Sequence, residues 1–242
     1  MIDTPKNHGP FGVVNAGTSV IGIKYKDGIL IAADTVVSYG GTLHQFNYRR
    51  IKKLNEECAC GCSGEMADFE KLSEILDQKM EKDEIENDGA AFLRPTDYYN
   101  FIGEHNYNRR MKMDPLWVST VFGGCNKDSG DLFLGMVDIY GLKVEGNYLV
   151  TGLAAHFCKV LLANEWKEDM TEQEAKNLAL KCYGVMYYRD KKCGDKIAFT
   201  TVKHSGITEE EPVKCPTEWN LRFYTEATNE MNRPMRLNPT KF

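Results

Sequence analysis

The chain has 242 residues, 42% of them hydrophobic and 27% charged, which suits a globular domain with a sizeable core and not a disordered chain. A net charge of -5 argues against a phosphate-backbone partner, which needs a basic stripe, so no nucleic acid is expected. No apolar run reaches the length of a membrane span, and Met1 to Gly17 lack the apolar centre of a secretory signal, so no membrane partner is expected either.

Residues 1–17 are Gly-, Pro- and Asn-rich without periodicity and read as a leader or extended arm. Structure is expected from Ser19. Ser19 to Lys26 reads as a strand, Asp27-Gly28 as a hairpin turn, and Ile29 to Ala33 as a returning strand, apolar throughout and so buried on both faces. Ile51 to Leu54 and Ala59 to Cys62 suggest a further strand pair. A helix follows, with Phe69, Leu72, Ile75, Leu76 and Met80 on one face. Glu81 to Gly89 is acidic and reads as a loop. Thr96 is placed to cap a second helix, in which Tyr99, Ile102, Asn106 and Arg109 share a face.

Trp117 to Gly124, Leu132 to Asp138 and Leu142 to Glu145 read as strands. Two helices come next, one from about Ala154 to Trp166. The other opens on a capping box, Thr171 with Glu174, and its apolar face is Ala175, Leu178, Ala179, Cys182, Val185 and Met186. Ile197 to Val202 and Ile207 onward form a closing hairpin about Ser205-Gly206. The tail after Val213 carries three prolines and reads as extended.

Eight cysteines are scattered without a CxxC pair. Cys58, Cys60 and Cys62 alternate, so on a strand they share one face. Zinc would want a fourth ligand and a turn there. The simpler reading is buried free thiols in a reducing compartment, with no metal and no cofactor. Arg109-Arg110 with Lys112 is either a solvated helix end or a contact between subunits. The alternation of strand blocks and helix pairs argues against a parallel βαβ fold. It favours an α+β architecture, two antiparallel sheets with helices on both outer faces.

That element order, with Gly17-Thr18-Ser19-Val20 opening the first strand, resembles the proteasome beta subunits. Three further stretches carry the match: Ile31-Ala32-Ala33-Asp34, Gly61-Cys62-Ser63-Gly64 with Ala67-Asp68, and Tyr187-Tyr188-Arg189-Asp190. Ser38-Tyr39-Gly40 and Met113-Asp114-Pro115-Leu116-Trp117 make the chain similar to the subgroup of the seventh eukaryotic beta subunit, counted among the non-catalytic members. The resemblance implies the four-layer αββα sandwich of the N-terminal nucleophile hydrolases. It divides the chain into a leader or arm (1–17), a beta-type domain (18–213) and a C-terminal extension (214–242). Such an extension reaches the opposite beta ring, and Trp219, Phe223 and Tyr224 would be its anchors here.

The resemblance also assigns a site. Thr18 aligns with the nucleophile, whose own α-amine is the base once the chain is cut after Gly17. Asp34 aligns with the buried acid, Gly64 with the backbone N–H that stabilises an oxyanion, and Asp190 with a second acid that orients the threonine. Three positions depart from the active pattern. Arg50 stands at the catalytic lysine, Leu153 at a serine that bonds the terminal amine, and Cys193 at another serine of that network. Each retained residue also has an ordinary reading: Asp34 as a turn residue or the buried ion-pair partner of Arg50, Thr18 as a strand former, Gly64 as a turn glycine.

The implied function is a non-catalytic structural and assembly subunit of the core particle for ubiquitin-dependent degradation, in cytoplasm and nucleus. Its partners would be other beta subunits of its ring, alpha-ring subunits and the opposite beta ring. The alternatives are an active threonine endopeptidase subunit with Thr18 as nucleophile, and a stand-alone amidohydrolase of the same superfamily.

Overall fold

The computed structural model describes residues 15–88, 93–127 and 129–218. In chain order the strands are β1 (Asn15–Gly17), β2 (Val20–Tyr25), β3 (Gly28–Asp34), β4 (Val37–Tyr39), β5 (Thr42–Gln45), β6 (Ile51–Lys53), β7 (Cys58–Glu65), β8 (Val118–Cys125), β9 (Leu132–Val137), β10 (Lys143–Glu145), β11 (Tyr148–Val150), β12 (Lys196–Lys203), β13 (Gly206–Glu209) and β14 (Val213–Lys214). The helices are α1 (Met66–Glu86), α2 (Pro95–Met111), α3 (Ala154–Phe157), α4 (Lys159–Glu165) and α5 (Glu172–Arg189).

Two antiparallel sheets result. One runs β10-β9-β8-β7-β1-β4-β5, with β6 also on β7; the other runs β11-β2-β3-β12-β13, with β14 also on β12. Strand alternation sorts the apolar residues into three cores. On β3, Ile29, Ile31 and Ala33 enter the core between the sheets, while Leu30 and Ala32 enter the core that includes Leu178, Cys182 and Met186 of α5. On β7, Ala59 faces the inter-sheet core, and Cys58, Cys60 and Cys62 face Phe69, Leu72 and Leu76 of α1 and Ile102 of α2. The layers are therefore helix, sheet, sheet, helix, the expected four-layer αββα sandwich. The sheets approach closely because a Cβ at Gly61 would lie 2.7 Å from Val20 Cγ1. The three alternating thiols act as small apolar side chains. Burial pushes Cys60 up to about 12 and Cys58 and Cys62 well above the ordinary thiol value. Among the described residues no group of three His, Cys, Asp or Glu is arranged to hold a metal ion. No helix among them is long and apolar enough to cross a membrane.

Several expectations are corrected. Ordered structure starts before Ser19, because β1 pairs with β4 on one side and β7 on the other. The first hairpin turns at Lys26-Asp27, and Gly28 stands in β3 opposite Tyr25, where a Cβ would meet Val202 O at 2.4 Å. The closing hairpin shifts likewise, with Gly206 paired to Lys203. Residues 81–86 are helical, not looped; Lys and Glu are good helix formers, and Lys82 and Glu86 pair one turn apart. The N-cap of α2 is Arg94, not Thr96. Pro95 takes the first turn, and the Asp97 carboxylate accepts the Arg94 N–H at 2.8 Å. The helix expected over Ala154 to Trp166 breaks at Cys158 (φ -106°), whose thiol donates to Cys182 O at 3.4 Å. The capping box of α5 forms as read, with Thr171 N donating to Glu174 Oε2 at 2.7 Å. The short strands β4, β5, β11 and β14 had no sequence signal. Trp219, Phe223 and Tyr224 lie outside the described residues.

Candidate functional site

The apolar strand β3 ends by delivering Asp34 into the interior, where it has no exposed surface. Its Oδ2 accepts the Gly194 N–H at 3.0 Å and the Val36 N–H at 3.3 Å. Its Oδ1 accepts the Thr18 hydroxyl at 2.8 Å and also the Arg50 Nη2. Arg50, just ahead of β6, is as enclosed as its partner. Its Nε donates to Asp34 O at 3.0 Å, Nη1 to Cys62 O at 3.0 Å, and Nη2 to Ser19 O at 3.1 Å. The guanidinium therefore ties β3, β7 and the residue before β2 together. A Cβ at Gly17 would lie 2.5 Å from Arg50 Cδ, so the glycine at that position makes room for the arginine.

Tyr183 of α5 completes the cluster, and the sequence reading missed it. Its hydroxyl lies 2.9 Å from Ala32 O and 3.1 Å from Ser19 O. Burial raises its pKa well above the ordinary phenol value, so it stays a neutral donor. The signal was present: Tyr183 lies between Ala179 and Met186 on the face already read as apolar.

A cleft of about 330 Å³ opens beside Thr18, lined among others by Gly64, Trp117, Leu153 and Asp190. Leu153 is 46% exposed there, a side chain without a hydrogen-bonding atom. Asp190 caps the end of α5 and is buried. One carboxylate oxygen accepts the Lys192 N–H at 3.0 Å and the other has no partner among the described residues; neither bonds to Thr18. The Cys193 thiol is pushed far up by burial and by the charge of Asp34, and its hydrogen bond runs to Gly194 O at 3.5 Å. Gly64 has φ +113°, and a Cβ on it would meet Trp117 O at 2.1 Å. Gly64→Ala is expected to destabilise by at least about 2 kcal/mol, read as a shift in the denaturation midpoint. A cost below about 0.5 kcal/mol would mean that the backbone there is free to move.

In the uncut chain the Thr18 nitrogen belongs to a peptide bond. The residues ahead of it are held on both sides: Gly17 pairs with Val37 and with Gly64, and Asn15 N donates to the Glu65 carboxylate at 3.0 Å.

A family model described as proteasome subunit matches residues 14–202. The chain is 37% identical over 207 residues to proteasome subunit beta type-4 of Xenopus laevis, covering 85% of this chain and 84% of the relative. It is 34% identical over 212 residues to proteasome subunit beta type-4 of Arabidopsis thaliana, covering 88% and 85%. It is 30% identical over 201 residues to proteasome subunit beta type-7 of Saccharomyces cerevisiae, covering 79% and 75%. The chain belongs to the proteasome subunit family.

In this proteasome subunit the residues singled out in the sequence gather around one buried ion pair. The structure brings Thr18, Asp34 and Arg50 into one hydrogen-bonded cluster. Gly64, Leu153 and Asp190 line the adjoining cleft, and Cys193 sits behind Asp34. The Thr18 hydroxyl is a donor to Asp34, whose oxygens also hold a guanidinium and two backbone N–H groups. Arg50 stays protonated and has no lone pair to accept a proton. Among the described residues the Thr18 hydroxyl donates to the Asp34 carboxylate, which is shared with that guanidinium.

Proposed function

We propose that this proteasome subunit is a non-catalytic, structural beta-type member of the core particle. It fills a place in the beta ring and completes the chamber in which sibling subunits cut unfolded protein. The observation that carries the reading is the enclosed Arg50–Asp34 pair with the Thr18 hydroxyl donating into it. An N-terminal threonine hydrolase needs a base for its hydroxyl, and here the neighbouring cation is a fixed, backbone-anchored arginine. Leu153 and Cys193 support the same reading, since neither gives a terminal amine a good hydrogen-bonding partner.

In this role the subunit touches its neighbours in the beta ring, subunits of the alpha ring, and the opposite beta ring through residues 214–242. It works in the cytoplasm and nucleus, where the reduced state of its eight cysteines is maintained. The active-subunit alternative draws on Thr18, Asp34 and Gly64, which retain the residue types it needs. N-terminal sequencing of the chain from purified core particles separates the two. A start upstream of Thr18 is expected, near Gly9 to Phe11, and leaves no terminal amine on the threonine. A mature chain beginning at Thr18 would overturn the structural reading in favour of the enzyme. Native mass of the same preparation tests assembly: a free monomer or dimer alone would point to the stand-alone hydrolase.

A further inference from the structure

The C-terminal turn of α2 carries a feature that the vestigial site does not use. Tyr107 and Met111 stand one turn apart on α2 with Arg110 beside them, and the turn between β9 and β10 brings Tyr140 and Leu142 alongside. The Arg110 guanidinium lies 5.8 Å from the ring centres of both Tyr107 and Tyr140. All four apolar neighbours are exposed: Tyr107 48%, Met111 64%, Tyr140 51% and Leu142 60%. Tyr and Arg with apolar neighbours are the residue types that dominate binding energy at protein interfaces.

The platform is fixed in place. A Cβ at Gly141 would meet Gly103 O at 2.5 Å, so the turn sits directly on the α2 backbone. Asn106 Nδ2 donates to Asp138 O at 2.9 Å across the same junction. Two acids of these segments are already committed. The Asp138 carboxylate accepts the N–H groups of Tyr140 and Leu142, each at 2.8 Å, and Asp114 pairs with Arg109 at 2.8 Å. Among the described residues no carboxylate pairs with Arg110 or with the adjacent Lys112. On a chain of net charge -5 this is a local surplus of positive charge on an apolar, aromatic base.

We propose that the Tyr107–Arg110–Tyr140 surface docks an acidic, partly apolar segment of a neighbouring subunit in the assembled particle. The inference rests on the assembly reading above. Charge complementarity chooses the occupant: Arg110, held between two rings, presents its edge to a carboxylate, and Met111 and Leu142 cover the partner's apolar side chains. An apolar partner would bury the guanidinium without a counter-ion, and a second copy of this patch would oppose like charges.

The test uses the full chain, tagged and expressed in cells so that it enters core particles. Recovery of the wild-type chain in the particle checks the assembly reading first; without it that reading fails, separately from the docking proposal. Arg110→Glu is expected to cut incorporation at least about tenfold at equal soluble chain and unchanged melting temperature. Arg110→Gln, which keeps size and polarity, is expected to cut it less, and is the variant to read if Arg110→Glu fails to fold. Lys82→Glu, on the exposed side of α1, is expected to incorporate normally. A photo-crosslinking amino acid at Met111 is expected to capture, within the particle, a peptide of another subunit that contains Asp or Glu. Wild-type incorporation of both Arg110 variants, capture of a peptide without an acid, or no capture at all would overturn the proposal.

Discussion

Arg50→Met is expected to destabilise the chain by about 3–5 kcal/mol, seen as a lower urea midpoint with little change in slope. The partner Asp34 has no exposed surface, so removing the guanidinium leaves a carboxylate buried without its counter-charge. It also strips hydrogen bonds from the backbone carbonyls of Asp34, Cys62 and Ser19, the last of which keeps the Tyr183 hydroxyl. Each buried acceptor left unpaired costs about 1–3 kcal/mol less whatever relaxation recovers. Whether the intact pair outweighs its own desolvation is a separate question. The single deletion has a definite sign, because it keeps the burial and removes the compensation. Arg50→Met with Asp34→Asn is therefore expected to be more stable than Arg50→Met alone by about 1–2 kcal/mol. The amide is neutral, and its oxygen can still accept the Gly194 N–H. Arg50→Lys is expected to fall between wild type and Arg50→Met, since it keeps the charge and loses the planar fork that reaches three carbonyls. A cost under about 1 kcal/mol for Arg50→Met would show that Arg50 does not hold these strands together.

The sequence made the layers of the fold readable because they follow periodicity. The seven consecutive buried residues of β3 and the 3.6-residue face of α5 are both driven by apolar burial, which local pattern reports directly. The elements that escaped are those set by tertiary pairing. The strand β1 has only three residues, Asn15-Ala16-Gly17, and is ordered because β4 and β7 offer it hydrogen bonds on both edges. Its residues carry little strand preference of their own. The one-residue shift at the first hairpin has the same origin. Gly28 looked like a turn residue because glycine tolerates positive φ, but it is needed where a strand passes close to Val202 O.

At the site, the family resemblance assigned Thr18, Asp34 and Gly64, and the arginine at the lysine position suggested an Arg50–Asp34 pair. The pair is a tertiary contact between residues sixteen apart in sequence, Asp34 at the end of β3 and Arg50 just ahead of β6. The place of Tyr183 on the apolar face was readable, but the carbonyl contacts of its hydroxyl and of Arg50 were not, because backbone acceptors leave no mark in a sequence. Asp190 differs most from its assigned role. It belongs to the cleft, yet its hydrogen bond goes to the Lys192 backbone and not to the threonine it was expected to orient.

A chain made to begin at Thr18 and assembled into a particle whose other active threonines are blocked is expected to resist covalent capture by a mechanism-based electrophile. Exposing the α-amine supplies one missing group and leaves three others absent. Arg50 cannot take part in moving a proton, and its N–H groups point at backbone carbonyls and Asp34 instead of Thr18 Oγ1. The Leu153 side chain faces the cleft without a polar atom, and the Cys193 thiol is already turned to Gly194 O. Losing one preorganised partner costs about a hundredfold or more in rate, and groups that act as a unit do not add. Restoring one of them is therefore expected to do little. Restoring Lys at 50 with Ser at 153 and 193 (Arg50→Lys, Leu153→Ser, Cys193→Ser) on the same start is expected to raise capture at least about a hundredfold. The comparison is internal, since both chains share the exposed amine, the cleft and Gly64, and only the proton-handling groups differ. Equal capture of the two chains would mean that these three positions do not decide whether Thr18 reacts, and the non-catalytic reading proposed above would lose its support from the Arg50–Asp34 pair.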